Sequence, residues 1–184
     1  MIVTLASASP RRRELIKRIP WIEAEIMPSL SEENAPFVNP GWYACALARH
    51  KAEDVFPRAE GAVVGADTIV IADGRLMGKP RGAEEAAEML GFLSGRTHSV
   101  ITGLCVKNAK IQICRYCETF VTVKNLSAGF IKEYVASGSP LDKAGAYGLQ
   151  DAAFAENVSA VEGDRDNVIG LPVAVLEKIL KEYF

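Results

Sequence analysis

The 184-residue sequence contains no apolar run of about 18 residues, so no segment is long enough to read as a membrane-spanning helix. The apolar stretch 2–8 is too short for a secretory leader, and its arginines follow it instead of preceding it. There are two histidines, His50 and His98, too isolated in sequence to form a catalytic or metal-binding cluster. The four cysteines are too few for a disulfide scaffold in a chain this long. Cys114-x-x-Cys117 has no second pair to complete a zinc site, and in a strand its two side chains would face opposite sides. The G-x-x-x-x-G-K-[ST] pattern of a P-loop is absent. A net charge of −2 excludes bulk electrostatic binding to nucleic acid or acidic membranes, so any anion site must be local. There is no internal repeat, low-complexity tract or linker. These absences point to a cytoplasmic globular protein, a single domain over 1–184, with neither nucleic acid nor membrane as partner. A domain of this size buries roughly 70% of its unfolded surface, enough for a substantial core.

Local signals divide the chain into alternating elements. Residues 2–6 read as a short buried strand. Ser9 and Pro10 then cap and open a helix running to about Pro20, with Leu15, Ile16 and Ile19 on its apolar face. Asn39-Pro40 starts a second helix that stops near Pro57. Residues 61–80 read as a buried strand, an Asp73-Gly74 turn and a short return strand. A helix follows over 82–95, then two long strands around 107–110, and a short helix capped by Ser127. Residues 142–151 form a glycine-rich loop, 154–164 read as a strand, and Pro172 opens an amphipathic helix. Strands and helices intermix with hairpins, which predicts an α/β fold with a mixed sheet.

Two local features carry chemistry. Arg11, Arg12 and Arg13 occupy the first turn of a helix, the end that already carries about half a positive charge. On the helical wheel Arg12 points inward, Arg11 lies at the edge, and Arg13 and Lys17 face solvent. Arginines beside the small residues Ser7 and Ser9 suit a phosphate, although a solvated basic turn fits the same residues. Asp67 lies inside VVGADTIVI, where an unpaired carboxylate is costly and needs a cation, a metal or strong donors. A structural aspartate bonded to backbone N–H groups at a bulge beside Gly65 is the other reading. Glu32 and Glu33 could join Asp67 as hard oxygen ligands; alone they are a solvated acidic loop. Lys51 on its helix and Lys79 in a turn would ordinarily be surface lysines.

Taken together, LASASPRRREL, GADTIV, GKP, LSGRTHSVITG, DKAGAYGLQ and NVIGLP, in that order, resemble the Maf family of nucleoside triphosphate pyrophosphatases over essentially the whole chain. The resemblance implies an α/β protein similar to inosine triphosphate pyrophosphatases, with two lobes around a nucleotide cleft. It implies hydrolysis of a nucleoside triphosphate to the monophosphate and pyrophosphate, with Mg²⁺ or Mn²⁺. Asp67 matches the catalytic aspartate, which with Glu33 would hold the metal. Ser7, Ser9, Arg11, Arg12, Lys51, Lys79 and Lys143 match substrate-binding positions. Arg12, Thr68 and Gln150 match the positions linked to base choice. DKAGAYGLQ is similar to the branch acting on dTTP and UTP, in a house-cleaning role. The branch acting on 7-methyl-GTP carries an acid at the position of Gln150. A homodimer is the family expectation. The rivals are cleavage of another nucleotide, such as 7-methyl-GTP, and a non-catalytic nucleotide-binding regulator of cell division. The sequence departs from the family at Ser139, where Glu is usual, at Asp151, where Gly is usual, and at Ser31-Glu32-Glu33; the first two border the base-reading loop.

Overall fold

The computed structural model describes residues 1–31 and 35–184. Its strands form a seven-stranded mixed sheet of order β2-β1-β3-β5-β6-β7, with β4 paired to β3. These are β1 (Ile2–Leu5), β2 (Glu23–Ile26), β3 (Ala62–Ala72), β4 (Arg75–Met77), β5 (Thr97–Lys107), β6 (Gln112–Val123) and β7 (Val158–Glu162). The described helices are α1 (Pro10–Ile16), α2 (Pro40–Val55), α3 (Ala83–Leu93), α4 (Ala128–Ala136), α5 (Ala152–Ala155), α6 (Arg165–Ile169) and α7 (Val173–Tyr183). Two compact units emerge, and β3, β5 and β6 each contribute residues to both.

The first unit comprises Met1–Thr68, Thr102–Cys117 and Gly170–Phe184. Here β1 pairs in parallel with β2 and with β3. Strands β1 and β3 are buried on both faces, which is why Val3 and Leu5 of β1 and Val63 and Val64 of β3 are all apolar and inaccessible. Helix α2 starts where Asn39 accepts hydrogen bonds from the N–H groups of Gly41 and Trp42, with Pro40 at its first position. It lies on the sheet at two glycines. A Cβ on Gly65 would sit 1.9 Å from the Ala48 carbonyl oxygen, and one on Gly103 would sit 2.2 Å from the Ala44 carbonyl. Gly65 is therefore a contact that lets α2 approach the sheet. Ala48, Ala52, Val55 and Val63 then close one core cluster with Cys105.

The second unit comprises Ile69–Ile101 and Glu118–Ile169. The β3–β4 hairpin turns through Asp73 and Gly74, both at positive φ, as the sequence predicts. Helix α3 buries Ala86, Leu90 and Leu93; α4, capped by the Ser127 hydroxyl, buries Tyr134 and Val135. Tyr147 stacks on Phe154 at 4.5 Å between ring centroids, and both join this core.

Three local expectations change. Helix α1 ends at Ile16, because Arg18 and Ile19 reach back three residues to Leu15 and Ile16 and tighten the last turn. Arg13 is half-buried rather than solvated, and its Nε has no hydrogen-bond partner among the described residues. Residues 154–155 belong to α5, because the Asp151 carbonyl accepts from the N–H groups of Phe154 and Ala155. Strands β2 and helix α6 carry no signal strong enough to be read from sequence: β2 is a largely exposed strand, EAEI, fixed by its register with β1.

Candidate active site

In the first unit, Ser9 caps α1 by accepting from the N–H of Arg12, with Pro10 next, as the sequence requires. Arg12 turns inward as the helical wheel predicts. Its Nε donates to the Gly170 carbonyl at 2.8 Å, one terminal nitrogen to Ser7 Oγ at 3.3 Å, and the other to Thr68 Oγ1 at 3.0 Å. The Thr68 hydroxyl also meets that of fully buried Thr102 at 2.9 Å. Ser7 is itself buried and accepts from the Ser9 N–H at 3.2 Å. The fork geometry of a guanidinium explains why an arginine, and not a lysine, sits here: it reaches acceptors in several directions at once. Arg11 is half-buried in the same first turn.

Asp67 follows Gly65 by two residues on β3 and therefore points to the same face, toward α2. Lys51 lies one turn beyond Ala48, the residue that Gly65 contacts. The Lys51 ammonium and Asp67 Oδ1 form an ion pair, with side chains only 13% and 9% exposed. The cation that a buried carboxylate needs is thus a lysine that sequence alone reads as a surface residue. Asp67 Oδ2 carries no hydrogen bond among the described residues. No three of His, Cys, Asp and Glu gather as a metal site among the described residues. Glu32 and Glu33 lie outside the described residues.

In the second unit, the loop 143–151 is held by contacts that the sequence did not reveal. Gly145 donates to the Gly78 carbonyl at 3.1 Å, which ties this loop to the turn bearing exposed Lys79. Lys143 is buried and reaches the Ser139 carbonyl, Ser139 Oγ at 3.0 Å and Asp142 at 2.9 Å. Asp151 accepts from Tyr134 and Ser139 hydroxyls, each at 2.6 Å, and from Gln150 Nε2 at 3.2 Å. Burial alone would raise the Asp151 pKa, but the Ser139 and Tyr134 hydroxyls and the Lys143 ammonium hold it below the ordinary carboxylate value. A cavity of about 340 Å³ opens beside this cluster, lined by Phe130, Glu133, Tyr134, Ser139 and Asp151 among others.

The structure therefore gathers Ser7, Ser9, Arg12 and Thr68 in one cluster and Lys51 with Asp67 in the same unit. Lys79, Lys143 and Gln150 belong to the second unit. Sequence reasoning missed Thr102, Gly170 and Tyr134 as supporting residues. A signal for the first two existed: each lies within a quoted motif, ITG and NVIGLP. The cysteines carry no disulfide. Cys114 packs against the core cluster containing Cys105.

A family model described as "Maf-like protein" matches residues 2–183. The chain is 42% identical over 178 residues to a dTTP/UTP pyrophosphatase of Thermococcus onnurineus, covering 97% of this chain and 96% of the relative. It is 45% identical over 182 residues to a dTTP/UTP pyrophosphatase of Moorella thermoacetica, covering 97% and 93%. Among solved structures, a HAM1 protein from Coxiella burnetii superposes with a TM-score of 0.52 at 16% identity, covering 99% of both chains, which is a likeness of fold.

Proposed function

The chain belongs to the Maf family, and we propose that it hydrolyses dTTP and UTP to the nucleoside monophosphate and pyrophosphate. The observation that carries this reading is the buried Lys51–Asp67 pair, one residue along β3 from the Thr68 hydroxyl that Arg12 holds. A protein that only bound nucleotide would have no evident need for a buried acid with one oxygen turned away from its partner. The relatives' names supply the substrate class.

Water attacks the α-phosphorus, the bond to the bridging oxygen breaks, and pyrophosphate leaves. Such transfers depend on positioning and charge neutralisation more than on covalent chemistry. Ser7, Ser9, Arg11, Arg12 and Lys51, all of the first unit, hold phosphate oxygens. Asp67 uses Oδ2 to orient the water and take its proton, while Lys51 fixes the carboxylate and offsets its buried charge. Gln150 reads the base, its carbonyl accepting from N3–H.

The residues also fit a divalent ion. Asp67 Oδ2 is a hard oxygen donor, and Mg²⁺ or Mn²⁺ needs only one or two protein carboxylates when phosphates and water complete its shell. Asp67, with Glu33 as the second ligand, would hold it; with Oδ2 on the ion, Asp67 would orient the water and not take its proton. When bound, the ion supplies charge neutralisation at the phosphates. A house-cleaning role on free nucleotides in the cytoplasm, as a homodimer, belongs to the same proposal.

The test is pyrophosphate release from all common NTPs and dNTPs and from 7-methyl-GTP, with Mg²⁺ or Mn²⁺, by the wild type and Asp67→Asn. The expected result is preferential cleavage of dTTP and UTP, lost in the variant. Near wild-type turnover by Asp67→Asn overturns the mechanism. Silence toward every substrate overturns the activity.

A further inference from the structure

We infer that Asp151, beyond the residues matched to the family, is a positioning residue for base choice: it holds the exposed Gln150 amide by its NH₂ and leaves the carbonyl oxygen directed away from the carboxylate. The inference rests on the proposed pyrimidine triphosphatase activity and deepens it.

An ionised carboxylate only accepts hydrogen bonds. The Gln150 amide that meets Asp151 Oδ1 at 3.2 Å must therefore present Nε2 to it, and this leaves Oε1 directed away. Asp151 is in turn held rigidly. Oδ2 accepts from the Tyr134 and Ser139 hydroxyls at 2.6 Å each and lies 3.5 Å from the Lys143 ammonium. Its N–H donates to the Gly148 carbonyl at 3.0 Å, and the Tyr134 hydroxyl accepts from the Gly148 N–H at 3.2 Å. Gly148 lies beneath both side chains: a Cβ there would meet Gln150 Nε2 at 2.4 Å and Lys143 Cε at 2.7 Å. The hub thus sets Lys143 and Gln150 together.

An unpinned glutamine amide can turn over and present either donor or acceptor. A pinned one presents an oxygen. Uracil and thymine carry a proton on N3 and satisfy that oxygen; cytosine offers a lone pair there and opposes it. A site with a fixed acceptor rejects the wrong base through the unpaired or repelling group. The negative charge of Asp151 is matched by Lys143, so it is committed to the loop and is not an acid offered to a cationic base.

The geometry also supplies a rescue. Ser139 Oγ lies 2.6 Å from Asp151 Oδ2, so the longer side chain of Glu at position 139 would carry a carboxylate to the same place. This matches the departures at the two positions, where Ser139 and Asp151 stand for the usual Glu and Gly.

The experiment measures kcat and KM for dTTP, UTP, dCTP and 7-methyl-GTP in the wild type, Asp151→Gly, Asp151→Leu, and Ser139→Glu combined with Asp151→Gly. Thermal melts establish that each is folded. The expected result for Asp151→Gly is a KM for dTTP and UTP raised about tenfold with kcat within about twofold. The dTTP-over-dCTP preference should fall about tenfold, the equivalent of one hydrogen bond. The double variant should regain that preference. Asp151→Leu, which keeps similar bulk but offers no acceptor to Gln150, should lose preference in the same direction if Asp151→Gly does not fold. Unchanged base preference in whichever Asp151 variant folds overturns the inference while leaving the activity standing. A gain of 7-methyl-GTP cleavage without loss of dTTP preference overturns it as well. A wild type silent toward dTTP and UTP overturns the activity, and this inference with it.

Discussion

Arg12 and Thr68, 56 positions apart in the chain, share a hydrogen bond of 3.0 Å. The resemblance to the family links both positions to base choice, and here they are one physical unit, backed by Thr102 and by the Gly170 carbonyl. Substitutions at the two should therefore not add. Arg12→Lys and Thr68→Val, measured singly and together as kcat/KM for dTTP, should show a coupling of about 1 kcal/mol. Additive losses would mean that the contact has no part in function.

The Lys51–Asp67 pair makes a prediction about stability that is separate from catalysis. Lys51→Met leaves Asp67 buried without its cation and should cost about 3–5 kcal/mol, read from urea unfolding. Adding Asp67→Asn removes the stranded charge and should recover much of that loss, without recovering activity. A Lys51→Met protein as stable as the wild type would show that the carboxylate finds other compensation.

Gly65 and Gly103 should tolerate no side chain. A methyl at either would collide with α2 backbone within about 2 Å, so Gly65→Ala or Gly103→Ala should destabilise by about 1–3 kcal/mol or more. Gly65→Ala should also reduce activity by displacing the helix that carries Lys51. Gly91→Ala is the control: a Cβ there meets nothing within 4 Å, and in the interior of α3 the change should stabilise by about 0.5–1 kcal/mol. Melting temperatures of the three variants separate these outcomes.

His98 should make the fold acid-sensitive. It is buried in the second unit, with Nε2 at 2.6 Å from the Tyr147 hydroxyl and Nδ1 without a partner among the described residues. Burial lowers its pKa from 6.5 to about 4. Between those values the unfolded chain binds the proton and the folded chain does not, so stability falls as pH drops from 6.5 toward 4. The full interval corresponds to roughly 3 kcal/mol at about 1.36 kcal/mol per pH unit. His98→Gln, which can keep a bond to Tyr147, should flatten this part of the stability profile. An equally steep profile in the variant would assign the acid sensitivity to other groups.

Much of the local structure was legible because its causes are local. Ser9-Pro10, Asn39-Pro40 and Ser127 satisfy helix N–H groups within three residues of themselves, so α1, α2 and α4 begin where those residues stand. Asp73-Gly74 turns the β3–β4 hairpin by its own backbone preference. Strand β2 was not legible, because an exposed EAEI has no pattern of its own and takes its register from β1. Helix α5 was not, because Phe154 is equally at home in a strand until Tyr147 stacks on it.

The candidate site divides the same way. The sequence by itself determined that Asp67 would be an acid in a buried strand and that Arg12 would turn inward, since burial of neighbours and the 100° step along a helix follow from residue types alone. Only the tertiary structure decided that Lys51 is the cation, that Thr68 and Gly170 receive Arg12, and that Asp151 binds Tyr134, Ser139 and Gln150. Those partners lie as far as 158 positions apart, and nothing in a side chain names an acceptor that distant. Lys51 and Asp67 meet because the close approach of α2 at Gly65 brings the helix lysine onto the strand carboxylate, and an unbonded buried acid would be costly.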